Sequence, residues 1–522
     1  MRYLVTTALP YANGPIHLGH LLEQIQADIF VRALRMSGDD VIFICGADSH
    51  GTPIEINAHK AKLQPCHYVE QWRFAQEQSL SKYLIQFDNG YGSTHTELNQ
   101  KNTEQIFKKL CNNKDIITKE IDQFFDTQAN RFLPDRFIKG ECPKCFSFDQ
   151  YGDNCEKCGA VYNPTNLINP RSILTNETPV IRSSKHYFFK LSKYSNKINE
   201  WLNNSDVFQV EVKNSLKDWI GTGLKDWDIS RDYPYFGFLI PGEINKYFYV
   251  WLDAPIGYIS LSEATGRENI WIDSETKIIH FIGKDIIYFH GLFWPAILMS
   301  INYNLPSKVM VHGMLTIDGE KMSKSRNTYI LADQFHSIFN PEALRYYFAC
   351  KLSANIEDID FNISDLCSRI NSDLVNKIIN LISRTVPLLQ KNYNGKITSM
   401  EPFIVDRVCE IANSVENYYR AGQINQVIKN VIQIADISNK FLQDLSPWDA
   451  SKCTAKDAHK VLNTALWSGK VCLGLLKPII PNIAAKMENL LDLEFVNFKN
   501  VLEPLSKPVL KKYIHLFERI VA

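Results

Sequence analysis

Two short clusters of side chains offer phosphate chemistry. His17-Leu18-Gly19-His20 sets two imidazoles about a glycine, after Ala8-Leu9-Pro10-Tyr11-Ala12-Asn13-Gly14-Pro15. Far downstream, Lys321-Met322-Ser323-Lys324-Ser325 sets two lysines in a polar stretch of small residues. A helix N-terminus points free N–H groups and a positive dipole at bound anions. Two histidines three apart at such an opening can both face the α- and β-phosphates of a nucleotide, and Gly19 removes a side chain where an adenine would approach the backbone. Lysines on a closing loop suit a reaction whose charge peaks on phosphate oxygens, because they then stabilise the transition state more than the ground state. Alone, the first motif reads as loop or core histidines and the second as a solvated loop. Together they can surround a triphosphate, which makes His17, His20, Lys321 and Lys324 the candidate catalytic groups. No side-chain nucleophile is needed if a substrate carboxylate attacks the α-phosphate in line and magnesium pyrophosphate leaves.

A second cluster has metal-ligand spacing. Cys142-Pro143-Lys144-Cys145 and Cys155-Glu156-Lys157-Cys158 are two Cys-x-x-Cys turns. Facing one another they make a closed tetrahedral thiolate site, for which zinc is the default occupant and iron the alternative. Four thiolates leave no open coordination position, so the expected role is structural.

The elements that must position these groups follow from periodicity. Tyr3–Ala8 is β-rich, and Leu21, Ile25, Ile29 and Ala33 recur at helical spacing after His20. Val41–Cys45 is an apolar strand of the buried, parallel kind, ending in Gly46-Ala47-Asp48-Ser49-His50-Gly51. This strand–helix–strand opening predicts a doubly wound sheet with its site at the strand ends. From about Lys114 to Pro234 the elements become short and irregular, as in an insertion. The α/β pattern returns at Tyr247–Trp251, Ile278–Ile282 and Lys308–His312. There Gly283 and Asp285 are placed to meet ribose hydroxyls, and His312 and Met314 to line an adenine. After Asn340-Pro341-Glu342, a helix start, the chain reads as mostly helical. Asn376, Asn380 and Arg384 share one helix stripe, with Val375, Ile378, Ile379 and Ile382 on the apolar side. Ser446-Pro447-Trp448 follows a long helix, and an exposed Trp448 could stack a base.

Bulk properties exclude several classes. At 522 residues the chain needs several domains. Its 57 basic and 57 acidic residues cancel, so any nucleic-acid face must be a local patch. Twelve cysteines, eight of them scattered, suit a reducing compartment rather than a disulfide scaffold. No apolar run spans a membrane and no signal core opens the chain, so a cytoplasmic protein is expected.

The two phosphate motifs resemble the signatures of class I aminoacyl-tRNA synthetases. Ala8–Gly14, Gly46–Pro53, Trp227–Arg231, Tyr249–Tyr258 and Phe281–His290 resemble the methionyl-tRNA synthetase family in particular, over nearly the whole chain. That resemblance implies a methionine–tRNA ligase, which forms methionyl-adenylate from L-methionine and Mg-ATP and then charges initiator and elongator tRNA(Met). It implies a methionine pocket of Ala8, Leu9, Tyr11, Trp227, Trp251, Ala254, Pro255, Tyr258, Ile286 and His290, with Asp48 on the α-ammonium. A thioether is polarizable and packs well on aromatic rings, and Tyr or His at the pocket end could donate a weak hydrogen bond to sulfur. It implies one structural zinc on Cys142, Cys145, Cys155 and Cys158. It also implies a CAU-reading surface, with Asn380, Arg384 and Trp448 matching anticodon residues and Asn376 and Pro447 beside them.

The expected fold is an α/β Rossmann-type catalytic domain in two halves (1–113 and 235–314) around a zinc-knuckle connective insertion (114–234). A stem-contact region with the lysine loop (315–375) and an all-α anticodon-binding helix bundle (376–522) follow. No segment is long enough for a separate editing domain. No dimerisation domain of the kind longer members append follows the bundle, so a monomer is expected. Competing readings are another class I synthetase, a small nucleotidyltransferase, and an inactive tRNA-binding paralogue. The closed cysteine site, the lysine loop with the helical region, and the intact motifs count against them in turn.

Overall fold

The computed structural model describes residues 1–134, 137–152, 155–160, 162–322, 329–505, 511 and 513–521. Strand β1 (Arg2–Thr7) leads into helix α1 (Leu18–Met36) and returns as β2 (Asp40–Ile44). After the insertion come α2 (Val250–Glu263), β3 (Thr276–Gly283) and β4 (Lys308–His312). The four strands form one sheet in the order β4-β3-β1-β2, all parallel. Tyr3 to Thr7 are buried without alternation, as a parallel strand covered on both faces requires. The chain leaves β1 toward β2 and later returns on its other side as β3. The carboxyl ends of β1 and β3 therefore flank a topological switch point, where such sheets hold ligands.

The insertion is built on a long antiparallel pair, Ile116–Asp126 with Val180–Phe189, in register from Ile116 opposite Phe189 to Phe125 opposite Val180. A three-stranded knuckle, Ile138–Glu141 between Gln150–Tyr151 and Ile168–Ser172, rests on its own small core of Phe124, Leu133, Ile138 and Leu167. Within the expected span of 114–234, one stretch packs on the main sheet. Ile198, Leu202, Val207, Phe208, Val212 and Leu216 pack in one core with Leu4, Ile42 and Val309 of the main sheet. Val309 N also donates to Val207 O at 2.7 Å. Trp227–Asp228 nonetheless returns to pair antiparallel with Phe188 and Phe189 as an edge strand of the insertion's sheet. Amphipathic helices show which face is buried but not against which layer.

The other sheet face shares a core with the C-terminal helices, among them α3 (Pro341–Lys351), α4 (Ile424–Leu445) and α5 (Ala455–Leu475). Arg345 of α3 is fully buried at this junction. It bonds Asp28 of α1 at 2.7 Å, Tyr83 O, and the carbonyls of Pro478 and Ile479. A buried guanidinium needs such a complete partner set. The expected boundary at 375/376 falls inside continuous helical structure, which runs from Ile363–Arg369 through Ile370–Ile379 to Asn380–Tyr393. Ile370–Ile379 is wound as a π-helix. Its extra residue per turn shifts the apolar face. Leu374, outside the expected stripe, is fully buried, while Val375 is only partly so. Among the described residues no helix is long and apolar enough to cross a membrane.

Candidate active site

His17 is the N-cap of α1. Its Nδ1 accepts from Gly19 N at 3.1 Å and His20 N at 3.3 Å, and His20 Nδ1 accepts from His17 N at 3.4 Å. The rings stack with centroids 3.6 Å apart. Each Nδ1 is an acceptor, so each Nε2 carries the proton and is a neutral donor. Burial, with His17 adding, pushes His20 down to about 3. The capping that starts the helix thus fixes the tautomer that suits an anionic ligand.

The lysine segment comes alongside. Lys321 ends a short strand, Glu320–Lys321, paired with Leu315–Ile317. Residues 323–328 lie outside the described residues, and Lys324 with them. The chain beyond is held against the histidine turn. Leu18 N donates to Ile330 O at 3.1 Å, Ala332 N donates to Ile16 O at 3.0 Å, and the Tyr329 ring meets His17 edge-on. A Cβ on Gly19 would lie 2.6 Å from Met322 Cε and 2.9 Å from His17 Cε1. Gly19 thus sits close under the ends of the Met322 and His17 side chains.

Both motifs open on a cavity of about 1440 Å³ at the switch point. Ala8, Leu9, Tyr11, Asp48, Trp251, Ala254, Pro255, Tyr258, Ile286 and His290 line one part. Gly19, Gly283, Asp285, His312, Met314 and Lys321 line it as well. Trp227 does not. It packs against Tyr288, Phe289 and Phe293, and Phe289 in turn stacks on Trp251 with centroids 3.5 Å apart. Trp227 therefore supports the wall from behind.

Asp48 stands at the β2 end of this cavity. Its Oδ1 is buried with no hydrogen-bond partner among the described residues. Burial, with Asp253 adding, holds its carboxyl well above the usual carboxylate range. A buried carboxylate oxygen in this condition is matched by an incoming cation. At the opposite, apolar end Tyr258 and His290 bond each other at 3.0 Å, and His290 Nδ1 lies 3.2 Å from Ile286 O. A carbonyl can only accept, so Nδ1 carries the proton and Nε2 accepts from Tyr258. Burial pushes His290 down to about 4, consistent with a neutral ring. Both donors are thus engaged. Both side chains line the cavity beside the Trp251 ring.

The other end is ordered by a pair the sequence did not suggest. Glu23, three residues after His20 on α1, accepts from Ala8 N at 2.7 Å and meets His312 Nε2 at 3.2 Å. His312 Nδ1 donates to Gly313 O at 2.7 Å. Burial raises Glu23. Burial opposes charge on His312, but the Glu23 contact outweighs it and the imidazole is raised. A Cβ on Gly283 would lie 2.6 Å from Asp285 Oδ1, so only glycine lets that carboxylate fold over the end of β3. Pro10, Gln24, Arg231, Tyr235 and Tyr249 also line the cavity and were not anticipated. Glu23's spacing from His20, on the same helix face, was the available signal.

The knuckle brings all four sulfurs within 4.8 Å of one another, with Cys145–Cys155 at 3.5 Å and Cys142–Cys158 at 3.8 Å. Zinc at about 2.3 Å from each sulfur sets tetrahedral edges of about 3.8 Å. Each turn donates backbone N–H groups back to its first sulfur, Lys144 and Cys145 to Cys142 and Cys158 to Cys155. The residue after each second cysteine, Phe146 or Gly159, has a positive φ. The cysteines could therefore hold a metal ion.

On the helical part, the Arg384 guanidinium lies 4.9 Å from the Trp448 ring centroid, and Trp448 is 43% exposed. Asn376 is exposed but accepts from Arg519 Nη2 at 2.6 Å, and Asn380 accepts from Ser383 Oγ at 3.3 Å. Ser446, with φ 42°, ends α4 and turns the chain. Pro447 is buried, so it shapes the turn that presents Trp448 rather than offering a contact surface.

The family model for class I tRNA synthetases (M) matches residues 3–386. Among solved structures, Mycobacterium tuberculosis methionyl-tRNA synthetase in complex with methionyl-adenylate is similar, at 23% identity and a TM-score of 0.82, covering 99% of this chain and 100% of that one. A second structure of that enzyme bound by methionyl-adenylate gives 22% identity and 0.82 over the same shares. Its apo form gives 21% and 0.76 over 100% of this chain and 99% of the other. At these identities the structural likeness establishes the fold.

Proposed function

The chain belongs to the class I tRNA synthetases (M), and on that premise we propose that it is a methionine–tRNA ligase whose cavity takes methionine at one end and ATP at the other. The observation that carries this reading is the cavity's polarity. A buried, unpartnered carboxylate oxygen at Asp48 faces the same space as a helix N-terminus with two neutral imidazoles. The first suits the α-ammonium and the second the phosphates.

Methionine's side chain lies among Leu9, Tyr11, Trp251, Ala254, Pro255, Tyr258, Ile286 and His290, with Ala8 at the mouth. Its carboxylate then points along the β1 end toward the α-phosphate. His17 and His20 donate from Nε2 to phosphate oxygens. Gly283 and Asp285 meet the ribose, and the chain at His312 and Met314 lines the adenine. Lys321 and Lys324 close on the β- and γ-phosphates as charge builds toward magnesium pyrophosphate. No side-chain nucleophile takes part, and the rate comes from alignment and preplaced donors.

Cys142, Cys145, Cys155 and Cys158 would hold one structural zinc, which cross-links the two turns and stabilises the knuckle. Trp448, stacked under Arg384, takes an anticodon base of tRNA(Met), with Asn376 and Asn380 along the same helix. Cavity and tryptophan lie on one chain, so a monomer suffices. None of the twelve cysteines is joined in a disulfide, which suits the cytoplasm. Incubation with ATP and labelled methionine, then gel filtration, tests the reading. Protein-bound methionyl-adenylate that moves to tRNA(Met) on addition of that RNA is expected, and label that never elutes with the protein refutes it.

A further inference from the structure

Beneath the amino-acid end of the cavity runs a buried chain of three titratable side chains that the proposed reaction does not use. His50 Nδ1 lies 2.6 Å from Asp253 Oδ2, and His50 Nε2 lies 2.9 Å from His95 Nδ1. Asp253 and His50 have no exposed side-chain surface. Phe236 and Phe238 pack against both imidazoles, with centroids 4.5–6.0 Å away. The chain joins two walls of the site. His50 is two residues past Asp48, and its carbonyl accepts from Tyr11 OH at 2.9 Å. Asp253 sits in the first turn of α2, between Trp251 and Ala254, which line the cavity.

Asp48 lines the amino-acid end of the cavity and Asp253 lies buried behind its wall, and each keeps a buried oxygen with no partner among the described residues: Oδ1 of Asp48 and Oδ1 of Asp253. Either could take an ammonium, but the substrate brings only one. His50 distinguishes them, because its imidazole bonds Asp253, whereas only its backbone meets Asp48. We propose that His50 is a positioning residue for the amino acid: anchored on His95 through Nε2 and holding Asp253 at Nδ1, it leaves Asp48 as the carboxylate that meets the ammonium, and so fixes where the attacking carboxylate lies. Without a donor at position 50, Asp253 turns toward the ammonium and draws it off line. Binding survives, because a carboxylate still meets the cation. Chemistry does not, because a misplacement of about 1 Å costs about 100-fold in rate.

The inference rests on the methionine–ATP reading and is tested with the full chain. His50→Leu removes the donor, whereas His50→Asn keeps an N–H where Nδ1 stands. In ATP–pyrophosphate exchange, His50→Leu is expected to lose about 100-fold in kcat, with the KM for methionine and for ATP little changed. His50→Asn is expected to stay near the wild type. Adding Asp253→Asn to His50→Leu removes the competing carboxylate and is expected to return most of the lost kcat. Equal loss in the Leu and Asn variants with a fall in melting temperature, an unaffected His50→Leu, or no recovery in the double variant each overturns the proposal. Should His50→Leu not fold, Asp253→Asn alone decides. Retained methionine KM supports the assignment, and a steep rise in that KM gives the ammonium to Asp253 and overturns it. A wild-type chain that exchanges with no methionine at all defeats the functional reading instead, so the two failures are distinct.

Discussion

The cavity at the sheet switch point and the Trp448 face of the helical part treat polar groups in opposite ways. In the cavity, Asp48 keeps a buried oxygen with no partner among the described residues, and His17 and His20 are locked into one tautomer by the helix they cap. On the helical face, Trp448 is exposed and already covered on one side by Arg384. A site that does chemistry on a small molecule keeps its charge demand unmet and dry until the ligand arrives. An exposed face presents area, and its polar groups can meanwhile bond their neighbours, as Asn376 does with Arg519.

Substitution should separate these two modes. The largest effect is expected in the cavity. Asp48→Asn removes the cation's partner, which costs about 2–5 kcal/mol for a buried charge pair. In methionine activation that is a fall of about 30- to 5000-fold in kcat/KM. A value near wild type would mean the ammonium sits elsewhere.

Next comes His17, which both caps and donates. His17→Ala and His17→Asn should each lose about 100- to 1000-fold in kcat for adenylate formation, as for a lost oxyanion donor. Only the alanine variant should also lose about 1 kcal/mol of stability, because asparagine restores the cap. Thermal unfolding of both variants beside single-turnover kinetics checks the split. Equal stabilities would show that the cap is not what His17 contributes.

Trp448→Ala should lower charging of tRNA(Met) by about 5- to 150-fold, the worth of about 1–3 kcal/mol of base stacking. Exchange without tRNA and the melting temperature should hold. A joint fall of all three would make Trp448 a packing residue, whose loss costs about 3–5 kcal/mol of fold stability. The smallest effect on charging is expected from removing any metal that the four cysteines hold. Dialysis against a chelator should lower the melting temperature yet reduce charging by less than the Trp448 substitution does. A complete loss of adenylate formation would give the metal a part in the chemistry.

Much of this was legible in the sequence where a local rule sets the outcome. The β1–α1–β2 opening, the helix start at Asn340 and the paired cysteine turns follow from periodicity, capping and ligand spacing, and the structure places them within a few residues of expectation. The parts that were not legible depend on which layer meets which. Trp227 looks like a pocket residue by type, but Phe289 takes the place between it and Trp251. The π-wound turn before Asn380 adds a residue that a 3.6-residue stripe does not register, so Leu374 takes the core position expected of Val375. Glu23–His312 and Asp253–His50 join residues from different strands and helices, and nothing in either segment names its partner.

The central claim is that this cavity activates methionine in particular, and ATP–pyrophosphate exchange with each of the twenty amino acids in turn measures it most directly. Exchange well above background with methionine, and far less with isoleucine, leucine, valine or cysteine, is the predicted result. Faster exchange with isoleucine or cysteine than with methionine would contradict the account.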